Sequence, residues 1–152
     1  AGRVGAVFSG SVEQVRDRYG RNDVGQLGTG ATMKLAVNAI VHALNQAVSE
    51  ALVLAEKSGV ERSAAYEVFA ASAIAAPFVL YKRDAFERPD QTKAAFMLDL
   101  VAKDLALIDD LAAGVGARMD QLATNRKVVA EALAAGLGQR DLSAIAELLR
   151  RG

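Results

Sequence analysis

Residues 31–59 read ATMKLAVNAIVHALNQAVSEALVLAEKSG, a run with no proline and no glycine before its last position. Most of its positions are Ala, Val, Leu, Ile or Met, so the run predicts a helix from Ala31 to about Ser58, with Gly59 as the terminating glycine. At 3.6 residues per turn, Lys34, Asn38, His42, Asn45 and Ser49 fall on one narrow stripe, and the rest of the circumference is almost wholly apolar. Such a helix is expected to be central and buried, about 40 Å long. The polar stripe argues against a membrane span. Lys34 and Asn38 share a face one turn apart. A helix gains no stability from an amine on an apolar surface, so Lys34 is a candidate for proton transfer, its pKa expected to be lowered by greasy neighbours.

Working outward, Asn22 to Gly30 is rich in glycine and reads as loop. Upstream, Arg3 to Ser9 alternates as a short strand, and Ser11 can cap a brief helix through Arg18. A lone strand is unstable, so this segment is expected to be the edge of a domain lying upstream. Downstream, Glu61 to Ala71 forms a helix with Tyr66 and Phe69 inward, and Pro77 opens another near Ala76. Arg83 to Gln91 reads as a charged loop. A long helix is expected over Thr92–Gly114 with Phe96, Leu100, Leu107 and Leu111 as its inward ridge, then one over Asp120–Ala135 and one over Leu142–Arg150 capped by Asp141. The expected fold class is all-α: a helical bundle around one long central helix, with a short β-strand prefix.

Composition agrees. The 152 residues suit one domain with a sizeable core, and aromatics make up only 5%, without tryptophan, which favours closely packed helices over a sheet. Lysine plus arginine balance aspartate plus glutamate at 18 each, so no global field draws in nucleic acid or an anionic membrane. With no cysteine, disulfides, thiolate metal sites and a cysteine nucleophile are excluded. No amino-terminal run has the make-up of a secretion signal, so a cytoplasmic location is the default expectation.

Several motifs have plain readings. Gly25-xxxx-Gly30 begins like a phosphate-binding loop, but Ala31-Thr32 follow where a lysine with serine or threonine is required. Gly28-Thr29-Gly30 begins like a dinucleotide fingerprint, yet Met33 holds the third glycine position. Both glycine runs are better read as a flexible entry that lets the helix end approach something closely. His42 has no companion ligands at metal spacing and reads as a hydrogen-bonded core or interface histidine. Taken singly, Lys34 is a solvated lysine, Asn38 a mid-helix amide bonding a neighbouring helix, Lys103-Asp104 a surface charge pair, Phe96 a core residue and Asp109-Asp110 a solvated face.

Together, Gly28-x-Gly30-xxx-Lys34-xxx-Asn38 and Phe96-xxx-Leu100-xx-Lys103-Asp104-Leu105, whose lysines lie about seventy residues apart, resemble the carboxy-terminal domain of the β-hydroxyacid (3-hydroxyisobutyrate) dehydrogenase family, a domain similar to that of 6-phosphogluconate dehydrogenase. The resemblance runs from Gly25 almost to the end. It implies that residues 1–24 are the terminal strand and helix of an NAD(P)-binding Rossmann domain, and 25–152 a helical substrate and dimerisation domain. It implies an NAD(P)-dependent oxidoreductase that moves hydride between the nicotinamide and a small 3-hydroxy acid or the matching semialdehyde or keto acid. Lys34 would be the general acid/base, Asn38 a substrate ligand that orients it, Phe96 and Asp104 substrate-site residues, and Lys103 a reach across the cleft to the cofactor. A homodimer is implied, no metal, nucleic-acid or membrane partner is expected, and the helical half alone should be inactive. Two departures stand out: Val37 where the family commonly has an asparagine, and an apolar Ala71-Ser72-Ala73-Ile74-Ala75 segment, which together suggest a pocket for a larger, less polar compound. The alternatives are an imine reductase on the same fold, against which Lys34 counts, and a non-catalytic dimerisation module.

Overall fold

The computed structural model describes residues 29–152; the expected Arg3–Ser9 strand, the Ser11–Arg18 helix and nearly all of the glycine-rich entry lie outside the described residues. Within them the chain is helical throughout: α1 (Thr29–Lys57), α2 (Arg62–Ala71), α3 (Pro77–Tyr81), α4 (Arg83–Glu87), α5 (Leu98–Val115), α6 (Asp120–Ala134), a 3₁₀ turn (Leu142–Ala144) and α7 (Ile145–Arg151). The nearest thing to a strand among the described residues is one isolated antiparallel bridge, Met97 to Asp141.

The helix ends follow local chemistry. Gly59 adopts φ 91° beyond α1, a left-handed conformation that a side chain would strain, and the Val60 amide donates back to the Ala55 carbonyl at 3.0 Å. The Glu61 carboxylate caps α2 by accepting from the Ala64 amide at 3.0 Å, and Pro77 occupies the first turn of α3, where its missing N–H costs nothing.

Helix α1 is the spine, packing against α2, α5, α6 and α7. The core it shares with them centres on Val48, Leu52, Tyr66, Phe86, Leu98 and Leu105, all essentially inaccessible. Tyr66 carries its hydroxyl into this core and donates it to the Val79 carbonyl at 2.8 Å, which relieves the cost of burying a phenol.

Three expectations are corrected. First, α1 is not buried all round: its polar stripe faces inward, with Asn38, His42, Asn45, Gln46 and Ser49 buried, while Met33, Val37, Ile40 and Leu54 are exposed, the last two at 68% and 69%. The amides draw the stripe in, since Asn45 donates to the Leu142 carbonyl at 2.9 Å and Asn38 to a carboxylate on α5. By length and mean hydropathy of 1.2 α1 could cross a membrane, but these contacts make it the core helix of a bundle. Second, residues 83–87 are helix, not loop, because Ala85 and Phe86 bury one face of a turn held by an Arg83–Glu87 ion pair at 2.8 Å.

Third, α5 begins at Leu98 rather than Thr92, so Phe96 precedes the helix, and its inward ridge is Leu98, Val101, Leu105, Ile108 and Ala112, with Leu100 and Leu107 exposed. Asp141 causes the late start. Its Oδ2 accepts from the amides of Ala95 at 2.9 Å and Phe96 at 3.3 Å, while Leu98 and Leu142 donate to the carbonyls of Arg140 and Phe96. These long-range bonds hold residues 95–97 outside the helix. The expected cap role of Asp141 is also present, its Oδ1 accepting from the Ser143 amide at 3.1 Å. The same carboxylate meets the buried Lys82 ammonium at 2.7 and 2.8 Å.

Candidate functional site

Asn38, two and a half turns into α1, is buried, and its Nδ2 donates to Asp104 Oδ2 at 2.8 Å. Asp104 lies on the second turn of α5, half-buried, next to the core residue Leu105. One turn beyond Asn38, His42 is 4% exposed and places Nε2 3.7 Å from the same Oδ2, too far for a hydrogen bond. Neither ring nitrogen of His42 has a hydrogen-bond partner, an omission that costs about 1–3 kcal/mol in a buried group. Phe96 lies beside it, ring centroids 6.2 Å apart and planes tilted by 31°. His42 is therefore a core histidine as expected, but not a hydrogen-bonded one.

Asp104 is the electrostatic centre. His42 exerts the largest influence on it, and with the bond from Asn38 and the charge of Lys34 it outweighs partial burial, which acts the other way. The carboxyl is held below the usual carboxylate range and is ionised at neutral pH.

Lys34 lies one turn before Asn38 and is exposed, as are Met33 and Val37 on either side of the same turn at 47% and 45%. The apolar enclosure expected around the amine is not built by the described residues, because its neighbours Met33 and Val37 are themselves exposed. The amine is nonetheless near enough for its charge to act on Asp104. Lys103 is exposed at the adjacent position of α5. The fold thus gathers Asn38, Asp104 and Phe96 around His42 with Lys34 at the rim, and leaves Lys103 exposed to solvent. An exposed ammonium at 103 beside this cluster suits an anionic dinucleotide, so the donor set fits a nicotinamide cofactor approaching from outside the bundle.

A depression of 560 Å³ lies elsewhere, lined by Glu56, Lys57, Glu61, Arg62, Glu87 and Arg150. It is an ion-pair junction: Arg150 grips Glu56 through two contacts of 2.6 and 3.1 Å, with Arg62 on the same carboxylate. Burial works to raise Glu56, but the two guanidiniums hold it below its ordinary value. Twenty-two residues of helix, roughly 33 Å, separate it from Lys34.

Fold and cluster first define a class: an all-α domain on one long helix that sets a lysine–asparagine pair against an aspartate of a crossing helix. The chain belongs to the family described as NAD-binding of NADP-dependent 3-hydroxyisobutyrate dehydrogenase, which matches residues 28–149. It is 32% identical over 127 residues to glyoxylate/succinic semialdehyde reductase 1 of Arabidopsis thaliana, covering 84% of this chain and 44% of that protein. It is 33% identical over 128 residues to the 3-sulfolactaldehyde reductase of Escherichia coli (strain K12), covering 84% of this chain and 43% of the other. Among solved structures, the Mycobacterium tuberculosis 3-hydroxyisobutyrate dehydrogenase with L-serine superimposes with a TM-score of 0.74 at 26% identity, over 83% of this chain and 45% of that one. The 3-hydroxyisobutyrate dehydrogenase from Salmonella typhimurium, also at a TM-score of 0.74 but at 24% identity over 80% and 42%, shares the fold. The chain thus spans less than half the length of these curated relatives. The all-α class and the family resemblance are borne out.

Proposed function

We propose that this chain is the helical substrate and dimerisation domain of an NAD(P)-dependent oxidoreductase acting on a small 3-hydroxy acid or the matching semialdehyde or keto acid. The observation that carries this reading is the Asn38–Asp104 hydrogen bond, which joins the two distant motifs at the foot of Lys34. The family match and the half-length coverage of the relatives support placing the nicotinamide chiefly on a further, Rossmann-type domain, with Lys103 contributing from this side. When bound, NAD(P) would supply or accept the hydride. Lys34 holds the proton that the substrate oxygen gains on reduction and receives it back on oxidation. Water near neutral pH is a poor base, and a rim amine that is covered only when the cleft closes can serve. Asn38, pinned by Asp104, offers its carboxamide oxygen to the substrate while adding no charge of its own. The exposed apolar side of α1, with Ile40 and Leu54, supports a homodimer, and a cytoplasmic setting remains the expected one.

The test is direct. The two-domain protein should oxidise NADPH or NADH in the presence of glyoxylate or succinic semialdehyde, followed at the nicotinamide absorbance, and should turn over cyclic imines far more slowly. No carbonyl-dependent oxidation would remove the dehydrogenase reading, and a preference for imines would install the alternative. The helical domain by itself should be inactive. Asn38→Ala removes one donor–acceptor pair near the reacting atoms, so kcat/KM should fall about 10–100-fold, or roughly 1.5–3 kcal/mol. A change within twofold would take Asn38 out of the site.

A further inference from the structure

The fold spends a buried imidazole beside Asp104 and gives neither of its nitrogens a partner. His42 is inside the core, yet nothing apolar about its position requires a histidine; leucine or methionine would fill the space without a desolvated ring. Its Nε2 points at the oxygen that also receives Asn38, at 3.7 Å, and its ring is flanked by Phe96. Asp104 is the charged group that faces it across the α1–α5 contact, while Asn38 and Lys34 precede it on its own helix. Contacts of this kind are commonly long in an enzyme without substrate and shorten when the cleft fills.

We propose that His42 is a positioning residue: it anchors Asp104 Oδ2 from one side so that the same oxygen orients the Asn38 carboxamide toward the substrate. The inference rests on the reading of this cleft as catalytic. The imidazole touches neither substrate nor cofactor. It acts through Asp104, with the Phe96 ring 6.2 Å from its own. A shift of less than 1 Å converts the 3.7 Å contact into a hydrogen bond. Without the anchor, the Asp104 carboxylate would be held on this side by the Asn38 bond alone.

In the two-domain protein with glyoxylate and NADPH, His42→Ala should lower kcat about tenfold while KM changes less than threefold. His42→Gln, whose Nε2 can reach the same oxygen, should recover most of the rate. In an Asp104→Asn background, His42→Ala should cost almost nothing more, because both act on one carboxylate. A loss of thermal stability with kcat intact, or costs that multiply across the double variant, would overturn the proposal. A second readout is independent of turnover. The ring ¹⁵N resonances assigned to His42, as those absent from His42→Gln, should move in Asp104→Asn and on adding glyoxylate with NADP⁺. Resonances unmoved by Asp104→Asn would refute the contact even if the enzyme is active. Resonances that move with Asp104→Asn in a protein without carbonyl-dependent turnover would keep the contact, and the failure would belong to the dehydrogenase reading; the catalytic role of His42 would fall with it.

Discussion

Lys34→Ala should cut kcat/KM of the two-domain protein by about 10²–10⁴-fold, or roughly 3–5 kcal/mol of transition-state stabilisation, without loss of fold. The size follows from the role: with no amine at the rim, the proton must pass to water. The intact fold follows from exposure, since the Lys34 side chain is exposed near the start of α1, and substitutions at such positions shift stability by only about half a kcal/mol. Lys34→Arg separates charge from proton transfer. Arginine keeps the cation but does not give up its proton near neutral pH, so it should be nearly as inactive as alanine. Steady-state rates on both variants, with a thermal melt as control, check this. An arginine variant at wild-type rate would make Lys34 an electrostatic anchor instead.

Lys82→Met should destabilise the domain by about 3–5 kcal/mol, read by urea unfolding. Lys82 is 2% exposed and Asp141 8%, and their contacts of 2.7 and 2.8 Å are each ion's main compensation for leaving water. Removing the lysine leaves a buried carboxylate that also holds the Ala95 and Phe96 amides, so the segment before α5 should loosen with it. The pair also sets an acid limit. Burial works to raise Asp141, but the charge of Lys82 and the bonds from Lys82, Ser143 and Ala95 hold it below the ordinary carboxylate range. A carboxyl depressed in the folded state contributes fully above its unfolded value, near pH 4, and loses that contribution as pH falls through the folded value. Wild type should therefore lose stability below about pH 4, and Lys82→Met should show a shallower acid dependence there. An unchanged urea midpoint would show the pair to be dispensable.

The sequence shows the long helix, Gly59, Asp141 as a cap and the α6 boundaries, because each is written in local chemistry. It also shows Lys34 and Asn38 on one face, since periodicity alone fixes that. Which side of α1 turns inward is not legible by apolar count: the amides of Asn38 and Asn45 find acceptors on α5 and at Leu142, partners far away in the chain. The start of α5 is hidden for the same reason, because the Asp141 bonds that hold residues 95–97 outside the helix span more than forty positions. With two leucine ridges available on α5, the one through Leu100 and Leu107 reads as well as the true one through Leu98, Val101 and Leu105. Lys82 gives no signal beyond following the apolar run Phe78-Val79-Leu80-Tyr81. His42 was visible on the stripe, but its unpartnered nitrogens follow only from where Asp104 comes to rest.

The clasp that Asp141 makes has a consequence for the order of events when the chain is made. The wall bearing Phe96 and Asp104 is fastened by a residue some forty positions later, so an emerging polypeptide can complete α1 to α4 long before that wall has anything to latch onto. A nascent chain halted between α6 and residue 141 would carry every catalytic candidate and still lack the fastening that sets two of them in place.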